Sequence, residues 1–420
     1  MLAFYDIKDS MPRWILYLFC FEILCFSGGQ RFDVEYQIPT LSIWLVTCFI
    51  AYLNRERDYQ IEEWFVGVAF ILFLMGWMLL TTIVVNIFSD FFFLSYLLFP
   101  LGMVISLYSF DFYEVRDCLL RLLSLIMVVS IIVHIGFNLE IIPAELEGDV
   151  EKPLTMSLYF FNVGWGEFEN IPLTRFSSIY WEPGQCQIVI IYVLVLFADD
   201  IQKHIYNIAY LLKKYGILLL SILLTGSTTG YIVFALFVSG LLMFNVNMLS
   251  QRKILPIFLS AILAIGIFSF FYLSDVVQSK LELSESLSDN NSYAIRLADN
   301  IACFTVAIEH PVFGMGVNSA ELNAELEAYG NTTASNGWFF SAAQMGFVYI
   351  IVMFVAMYMN IRKMNFEILT IVPLIILILS QANEYATYLP ITWMYCCPFG
   401  TYQKNSIDEE QNLMREVEDI

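Results

Sequence analysis

The sequence predicts an all-α protein, a polytopic bundle of transmembrane helices. Its 420 residues are 59% hydrophobic and only 14% charged, whereas soluble domains carry about 25% charged residues. Apolar runs of about 18 residues or more recur along the chain, and each can cross a hydrocarbon core of roughly 30 Å as a helix. The short alternating segments typical of a membrane β-barrel are not seen in the sequence. Together these observations favour helices in a membrane.

Twelve apolar helices are predicted, and they form a single transmembrane domain over residues 1–420. They are placed at 13–28, 38–54, 64–87, 91–110, 117–138, 180–198, 208–224, 229–246, 254–273, 338–359, 367–381 and 386–399. The first resembles a secretory signal, because Lys8 and Arg13 precede its apolar stretch. The following Gly28-Gly29-Gln30-Arg31 has no small-x-small cleavage pattern, and more apolar segments come after it. We therefore expect a first membrane span.

The distribution of basic residues predicts the orientation. Small polar residues interrupt the apolar stretch 208–246 at Thr225-Gly226-Ser227, which is a turn signal, so we interpret this stretch as a helical hairpin. Of the 20 Lys and Arg residues, 15 then fall on one face of the membrane and 5 on the other. The richer face is cytoplasmic by the positive-inside rule. Both termini, including a tail at 400–420, are therefore expected in the cytoplasm.

Two long loops, 139–179 and 274–337, face outward in this topology. Long loops in compact proteins are usually functional or disordered. Aromatic residues such as Trp165 and Phe313 indicate that these loops fold onto the bundle, and the second has helix-like stretches at 300–309 and 320–328. Any active surface is expected on this outer face.

The cysteines and the net charge exclude some classes of protein. None of the spacings among the eight cysteines suggests a zinc site or a disulfide framework, so we expect small core residues. The net charge of −20 argues against a nucleic-acid partner. Much of the negative charge lies in the outer loops, where it forms either a solvated surface or one that tolerates a polyhydroxylated or aminated ligand.

Arg175 and Glu182 lie at the start of the sixth predicted span and are candidates for one shared site. If residues 175–182 were helical, their spacing would place both on one face, although Pro183 disfavours helix at Glu182. The alternative interpretation is an interfacial salt bridge next to Tyr180 and Trp181, residue types that are common in the aromatic belt of membrane proteins.

Three more polar residues on the outer side are candidates for binding. Arg296 and Arg175 come from two different outer loops and together could clamp a pyrophosphate; the alternative for Arg296 is a solvated loop residue. His310, before Pro311, can titrate near neutral pH, but His in such a turn is often structural. Glu384, between the last two spans, is either hydrated or directed into the bundle. No phosphate-cradling Gly-rich loop, Ser-His-Asp order or HExxH helix is visible in the sequence.

The linear order of these segments resembles the O-antigen polymerase and O-antigen ligase superfamily. The resemblance covers about residues 170–360. The matching segments are, in chain order, Arg175 with Ser177 and Glu182-Pro183, the hairpin Thr225-Gly226-Ser227, Arg296 in a long outer loop, the turn from His310 to Gly316, and Ser335-Asn336 before a span that contains Gly346.

The resemblance implies a metal-independent, inverting, GT-C-like glycosyltransferase that needs no cofactor. Its substrates would be undecaprenyl-pyrophosphate-linked glycans at the outer face of the bacterial inner membrane, and its product O-antigen, capsule or exopolysaccharide. Two outer-loop arginines hold the pyrophosphate in this family, a role that falls on Arg175 and Arg296, and Glu182 is the candidate base. Candidate substrate contacts are Arg175, Arg296, Tyr180, His310, Ser335, Asn336 and Glu384. A chain-length regulator and a flippase are the implied protein partners.

The chain departs from the family pattern at two positions. The family commonly has His-Asn where this chain has Ser335-Asn336, and an Arg often follows the hairpin Ser where this chain has Thr228. Because ligases depend on that His, we expect a repeat-unit polymerase.

Three alternatives stay open. The nearest is an O-antigen ligase that transfers glycan to the lipid A core. The second is a transporter of lipid-linked oligosaccharides, a class that often has charged residues or broken helices near mid-membrane. In this chain we expect the charges at the membrane borders, which favours an enzyme. The third is a non-catalytic scaffold for polysaccharide assembly.

Overall fold

The computed structural model describes most of the chain and shows a mainly helical fold. The described residues are 12–31, 37–54, 61–85, 92–107, 109–147, 154–165, 175–243, 292–317, 319–328, 336–364, 370–381 and 384–397. The predicted ninth helix at 254–273, the candidate Ser335 and the tail at 400–420 lie outside them.

The helices within this part of the chain follow the apolar pattern of the sequence. They are α1 (Arg13–Cys25), α2 (Gln37–Leu53), α3 (Ile61–Val85), α4 (Phe92–Leu107), α5 (Phe112–Asn138), α6 (Pro183–Val195), α7 (Ala198–Lys203), α8 (Ile208–Leu224), α9 (Thr228–Met243), α10 (Ser292–Glu309), α11 (Ala320–Ala328), α12 (Gly337–Lys363), α13 (Ile371–Ser380) and α14 (Pro390–Cys396). The predicted break between the seventh and eighth apolar helices is confirmed, because α8 ends at Leu224 and α9 begins at Thr228.

Two of the described helices, α5 and α12, are long and apolar enough to cross a membrane. Shorter apolar stretches occur in α2, α3, α4, α6, α9 and α13. The helical class of the fold is therefore confirmed, while the total of twelve membrane spans stays a prediction.

A kink in α12 is the main irregularity of the described helices. Gly346 adopts φ +79° and ψ 167° within the helix, so the carbonyl groups before it lose their helical hydrogen-bond donors. The backbone amides of Met315 and Gly316 donate to the carbonyls of Ala343 and Gln344 at 2.8 and 2.9 Å. The turn after α10 therefore supplies hydrogen-bond donors to two of the carbonyls that the kink leaves without helical partners.

Two aromatic side chains and one further backbone bond complete this contact. The indole Nε1 of Trp77, in α3, donates to the Met345 carbonyl at 3.0 Å. The ring of Trp77 also stacks on Phe313, with centroids 5.1 Å apart. The amide of Phe347, after the kink, donates to the Pro311 carbonyl at 2.8 Å. The segment from His310 to Gly316 is thus a plug that fills the kink.

The described part of the second outer loop, 292–317 and 319–328, folds onto the bundle, as its aromatic residues predicted. Its helices α10 and α11 pack on the first half of α12, and both predicted helix-like stretches, 300–309 and 320–328, are helical. The buried residues that join them are Ala302, Cys303, Val306, Leu322, Leu326, Phe340 and Ala343.

The first outer loop contains a small sheet that the sequence analysis did not predict. Strands β1 (Ala144–Glu147), β2 (Leu154–Ser157) and β3 (Phe161–Trp165) pair antiparallel in that order. The side-chain amide of Asn162 donates to the Trp181 carbonyl at 2.7 Å, and its backbone amide donates to the Ser178 carbonyl at 2.8 Å. The sheet is therefore fastened to the segment that carries the first candidate site residues.

The expectation that charges keep to the membrane borders is wrong for Glu22. This residue lies inside α1 and is 1% exposed. Its Oε1 accepts a hydrogen bond from Thr47 Oγ1, in α2, at 2.7 Å. A carboxyl group among apolar helices is costly and usually has a function. Transporters often have buried charged residues and broken helices within the membrane. Because Glu22 and the broken helix α12 are features of this kind, the placement of charges no longer argues against a transporter.

Replacement of Gly346 by Ala is expected to lower the thermal stability of the detergent-solubilised protein. An added Cβ would overlap the Val312 carbonyl, and the positive φ is unfavourable for Ala; backbone strain of this kind costs about 1–3 kcal/mol. Gly76→Ala is the matched control, because nothing lies within 4 Å of its added Cβ, so it should be neutral or slightly stabilising. Equal melting temperatures for the two variants would contradict the packing of the kink.

Candidate functional site

The segment before α6 is extended, not helical. Tyr180 forms an isolated antiparallel bridge with Gly29. Glu182 also has extended backbone angles, φ −148° and ψ 163°, and α6 begins at Pro183. The two-turn alignment of Arg175 with Glu182, which required a helix, therefore does not occur. The segment instead runs between the end of α1 and strand β3.

Arg175 is held by the hairpin between α8 and α9. Its Nε donates to the Thr225 carbonyl at 3.2 Å and its Nη2 to the Gly226 carbonyl at 3.3 Å. The backbone amide of Phe176 donates to the Leu224 carbonyl at 3.2 Å. These neutral carbonyls orient the guanidinium and leave its positive charge in place. The structure thus joins the Arg175 segment to the Thr-Gly-Ser hairpin, about fifty positions apart in the chain.

Glu182 occupies the N-cap position of α6 and is half-buried. Its side chain makes no capping hydrogen bond to the helix. Pro183, the first helical residue, has no backbone N–H to offer. The Glu182 carboxylate is therefore not used to cap the helix.

Glu384 lies against the same end of α6. It is 7% exposed, and an added Cβ at Gly184 would overlap its carboxylate oxygen Oε1. The first turn of a helix has backbone N–H groups without helical partners and a partial positive charge, so it stabilises a carboxylate there. Of the two interpretations of Glu384, the one directed into the bundle is confirmed. Glu384 therefore packs against the helix end at which Glu182 is the N-cap residue.

Tyr385 adds a neutral donor next to Glu384. Its hydroxyl donates to Gln344 Oε1 at 2.8 Å. Burial raises the pKa of the Tyr385 phenol well above its usual range, and a hydrogen bond with Thr387 only partly offsets this. The hydroxyl therefore stays protonated and links the loop after α13 to the helix segment that precedes the kink.

The other candidates have different surroundings. Tyr180 is completely buried, and within the described residues its hydroxyl has no hydrogen-bond partner. Asn336 is the N-cap of α12, where its Oδ1 accepts from the amides of Trp338 and Phe339 at 3.0 and 3.1 Å. The backbone of His310 belongs to the plug at the kink, and its side chain is exposed. Asn336 thus has a structural role in the described fold.

Arg296 lies in the second turn of α10, where the structure describes the backbone alone. Its helix packs on α12, so the second outer loop reaches the bundle near the kink. The clamp formed by Arg296 and Arg175 stays a prediction.

Buried glutamines form a polar seam that the sequence analysis missed. Gln185 Nε2 donates to the Ser27 carbonyl at 3.0 Å. Gln381 Nε2 donates to Thr392 Oγ1 at 2.9 Å and also to the hydroxyl of Tyr192. These bonds join α6 to the end of α1 and to the helices after α12. The sequence signal that could have revealed this seam was the presence of Gln side chains in otherwise apolar segments.

The cysteines behave as the sequence predicted. All eight are free and buried, which agrees with small core residues. Within the described ranges, no group of three His, Cys, Asp or Glu residues is placed to hold a metal ion.

Comparison with known families supports the resemblance stated above. The family model described as O-antigen ligase matches residues 215–354, a stretch that contains the hairpin, Arg296, the plug and the kink. Arg175, Glu182 and Glu384 lie outside the match. Proteins of this family are integral membrane proteins of bacteria, which agrees with the apolar helices. A comparison with curated proteins gives no significant match.

The contact between Gly184 and Glu384 can be tested with a suppressor pair. Gly184→Ala is expected to destabilise the solubilised protein by about 1–3 kcal/mol, the usual cost of overpacking, because the new methyl group would overlap the Glu384 carboxylate. Glu384→Asp shortens that side chain, so the double variant should recover part of the loss in thermal unfolding. Gly216→Ala, whose Cβ has its nearest neighbour at 3.9 Å, is the control. Additive losses in the double variant would show that the two residues do not compete for this space.

Proposed function

We propose that this protein, whose residues 215–354 match the O-antigen ligase family, polymerises undecaprenyl-pyrophosphate-linked repeat units into O-antigen, capsule or exopolysaccharide. The observation that carries the proposal is the short segment before α6, which begins with the oriented Arg175 guanidinium and ends with Glu182 at the helix end against which Glu384 packs. The reaction would take place at the outer face of the bacterial inner membrane, with both termini of the protein in the cytoplasm.

The proposed reaction is a metal-independent glycosyl transfer with inversion. A hydroxyl of the incoming lipid-linked unit attacks the anomeric carbon of the growing chain, and the bond from that carbon to the lipid pyrophosphate breaks. Negative charge develops on the leaving pyrophosphate. Fixed guanidinium groups stabilise such charge without reorganisation, and Arg175 is already oriented by two carbonyls. Arg296 supplies the second guanidinium in this proposal.

Glu182 is the proposed base, which takes the proton of the attacking hydroxyl. A general base must come within hydrogen-bond distance of that proton. Glu182 is half-buried and is not engaged in capping, whereas Glu384 is almost fully buried against Gly184. We therefore assign Glu384 to fixing the end of α6 and Glu182 to proton transfer.

The alternative is an O-antigen ligase that uses the same donor and transfers the finished chain to the lipid A core. The description of the matching family favours it. Against it stands Ser335 where ligases carry His. In the polymerase proposal, a flippase delivers the lipid-linked units and a chain-length regulator limits the product.

A gel of surface polysaccharide separates polymerase from ligase. A strain without this gene should lose the multi-repeat ladder and keep the single-repeat band, because ligation of one unit does not require polymerisation. Complementation should restore the ladder. Loss of the single-repeat band as well would favour the ligase or a flippase.

Arg175→Ala and Arg296→Ala are each expected to abolish the ladder in the complemented deletion strain, since the leaving pyrophosphate would lose a charge-stabilising donor, an effect of order 10²–10³ in rate. Arg175→Lys should restore only part of the chain length, because Lys cannot reproduce the two-pronged contact of Arg with the Thr225 and Gly226 carbonyls. Arg362→Ala, at the exposed far end of α12, is the matched loss of charge and should leave the ladder unchanged. Full-length ladders from both outer Arg variants, at wild-type protein level, would disprove the clamp.

A further inference from the structure

The turn between β2 and β3 exposes three consecutive apolar side chains. Leu158, Tyr159 and Phe160 are 57%, 48% and 45% exposed. Leu158 and Tyr159 have φ of +49° and +66°, the region that hairpin turns normally fill with Gly, Asn or Asp. Such angles at larger residues persist only where the surrounding structure imposes them, and they often mark functional positions.

Contacts on both sides hold this turn in place. Arg31 Nε donates to the Tyr159 carbonyl at 2.7 Å, and its guanidinium lies 3.9 Å from the centre of the Tyr159 ring. On the other side, Ser157 Oγ donates to the Pro143 carbonyl at 2.8 Å. The backbone of the turn is therefore fixed while its three apolar side chains stay about half exposed.

The turn lies next to the end of an exposed apolar stripe on α5. The stripe repeats every three or four residues along a helix that is long and apolar enough to cross a membrane. Its members are Leu125, Val128, Val129, Ile132, Ile135 and Leu139. Beyond the helix, Ile141 continues the stripe, at 72% exposed, and the bond from Ser157 to Pro143 brings the turn to this end.

We propose that the turn Leu158–Phe160 is a membrane anchor that inserts into the interfacial layer of the bilayer at the outer end of α5. The occupant of this apolar surface is the lipid of the bilayer, because the surface continues the lipid-facing stripe of α5. Tyr159 and Arg31 suit the headgroup level of the bilayer, because each side chain has an apolar part and a polar end, and both are accommodated there. This inference rests on the membrane setting of the proposed function.

A glycan platform, meaning a surface on which sugar rings stack, explains the exposed turn less well than a membrane anchor does. Sugars stack on open aromatic ring faces, but the guanidinium of Arg31 covers one face of Tyr159. Leu158, the most exposed of the three residues, has no ring.

The anchor would set the height of the candidate site above the membrane. Asn162, two residues beyond Phe160, donates to the Trp181 carbonyl, so the sheet fixes the segment between Arg175 and Glu182. A pyrophosphate attached to a membrane lipid lies at the headgroup level, which is where the anchored sheet would hold this segment.

The test uses single cysteines labelled with an environment-sensitive dye in lipid nanodiscs. All eight native cysteines are buried, and burial raises the pKa of the Cys303 thiol, in the outer loop, to about 12, so labelling should be confined to the new site. Leu158→Cys and Phe160→Cys are the anchor variants. Ile132→Cys, in the α5 stripe, is the lipid control, and Glu327→Cys, exposed on α11, is the water control.

We expect dye at either anchor position to show blue-shifted emission, quenching by spin-labelled lipid and protection from iodide, as at Ile132. If the dyes at positions 158 and 160 behave like the dye at position 327 while the dye at position 132 is in lipid, the anchor is wrong. A response of the dyes at 158 and 160 to added glycan would then favour the platform. If Ile132 is also open to iodide, the membrane setting fails together with the inference.

Discussion

The described structure depends on one constraint, which is that a helix broken among apolar side chains must have its freed backbone groups satisfied. At Gly346 the amides of Met315 and Gly316 and the indole of Trp77 supply donors to the carbonyls of α12, and the Pro311 carbonyl accepts from the chain beyond the kink. The plug therefore cannot leave without exposing orphaned polar groups. This fixes the outer helices α10 and α11 on the bundle.

A second convergence, at the start of α6, gives the ordered motifs a spatial meaning. The end of α1, the outer sheet, the hairpin after α8 and the loop after α13 all contact the segment from Arg175 to Gly184. Residues far apart in the chain thus meet on one short segment, which begins with Arg175 on the hairpin and ends with Glu182 at the helix end that Glu384 contacts. Of the ordered motifs, the Arg175 segment and the Thr-Gly-Ser hairpin meet at this point, whereas the plug and Gly346 meet at the kink of α12.

The apolar helices and the hairpin could be predicted from the sequence because their signals are local, namely long apolar runs and a Thr-Gly-Ser interruption. The sheet of the first outer loop was missed because its strands, although they alternate apolar and polar or small residues, are only four or five residues long, which is the lower limit at which alternation indicates a strand. The position of Glu384 depends on the missing side chain of Gly184, a contact across the fold that no local pattern shows. Glu22 was overlooked because a single acidic residue does not interrupt an apolar run. His310 and Asn336 stood out as polar residues at segment ends, where turns and caps use the same residue types as binding sites.

The contact between Gly184 and Glu384 has an evolutionary consequence. Because one small volume holds either a side chain at position 184 or the carboxylate of Glu384, the two positions are not independent under selection. A relative with a larger residue at position 184 must have a shorter side chain at position 384, or must place that side chain elsewhere. Among descendants of this chain the two sites should therefore change together, as a correlated pair separated by the whole matched region.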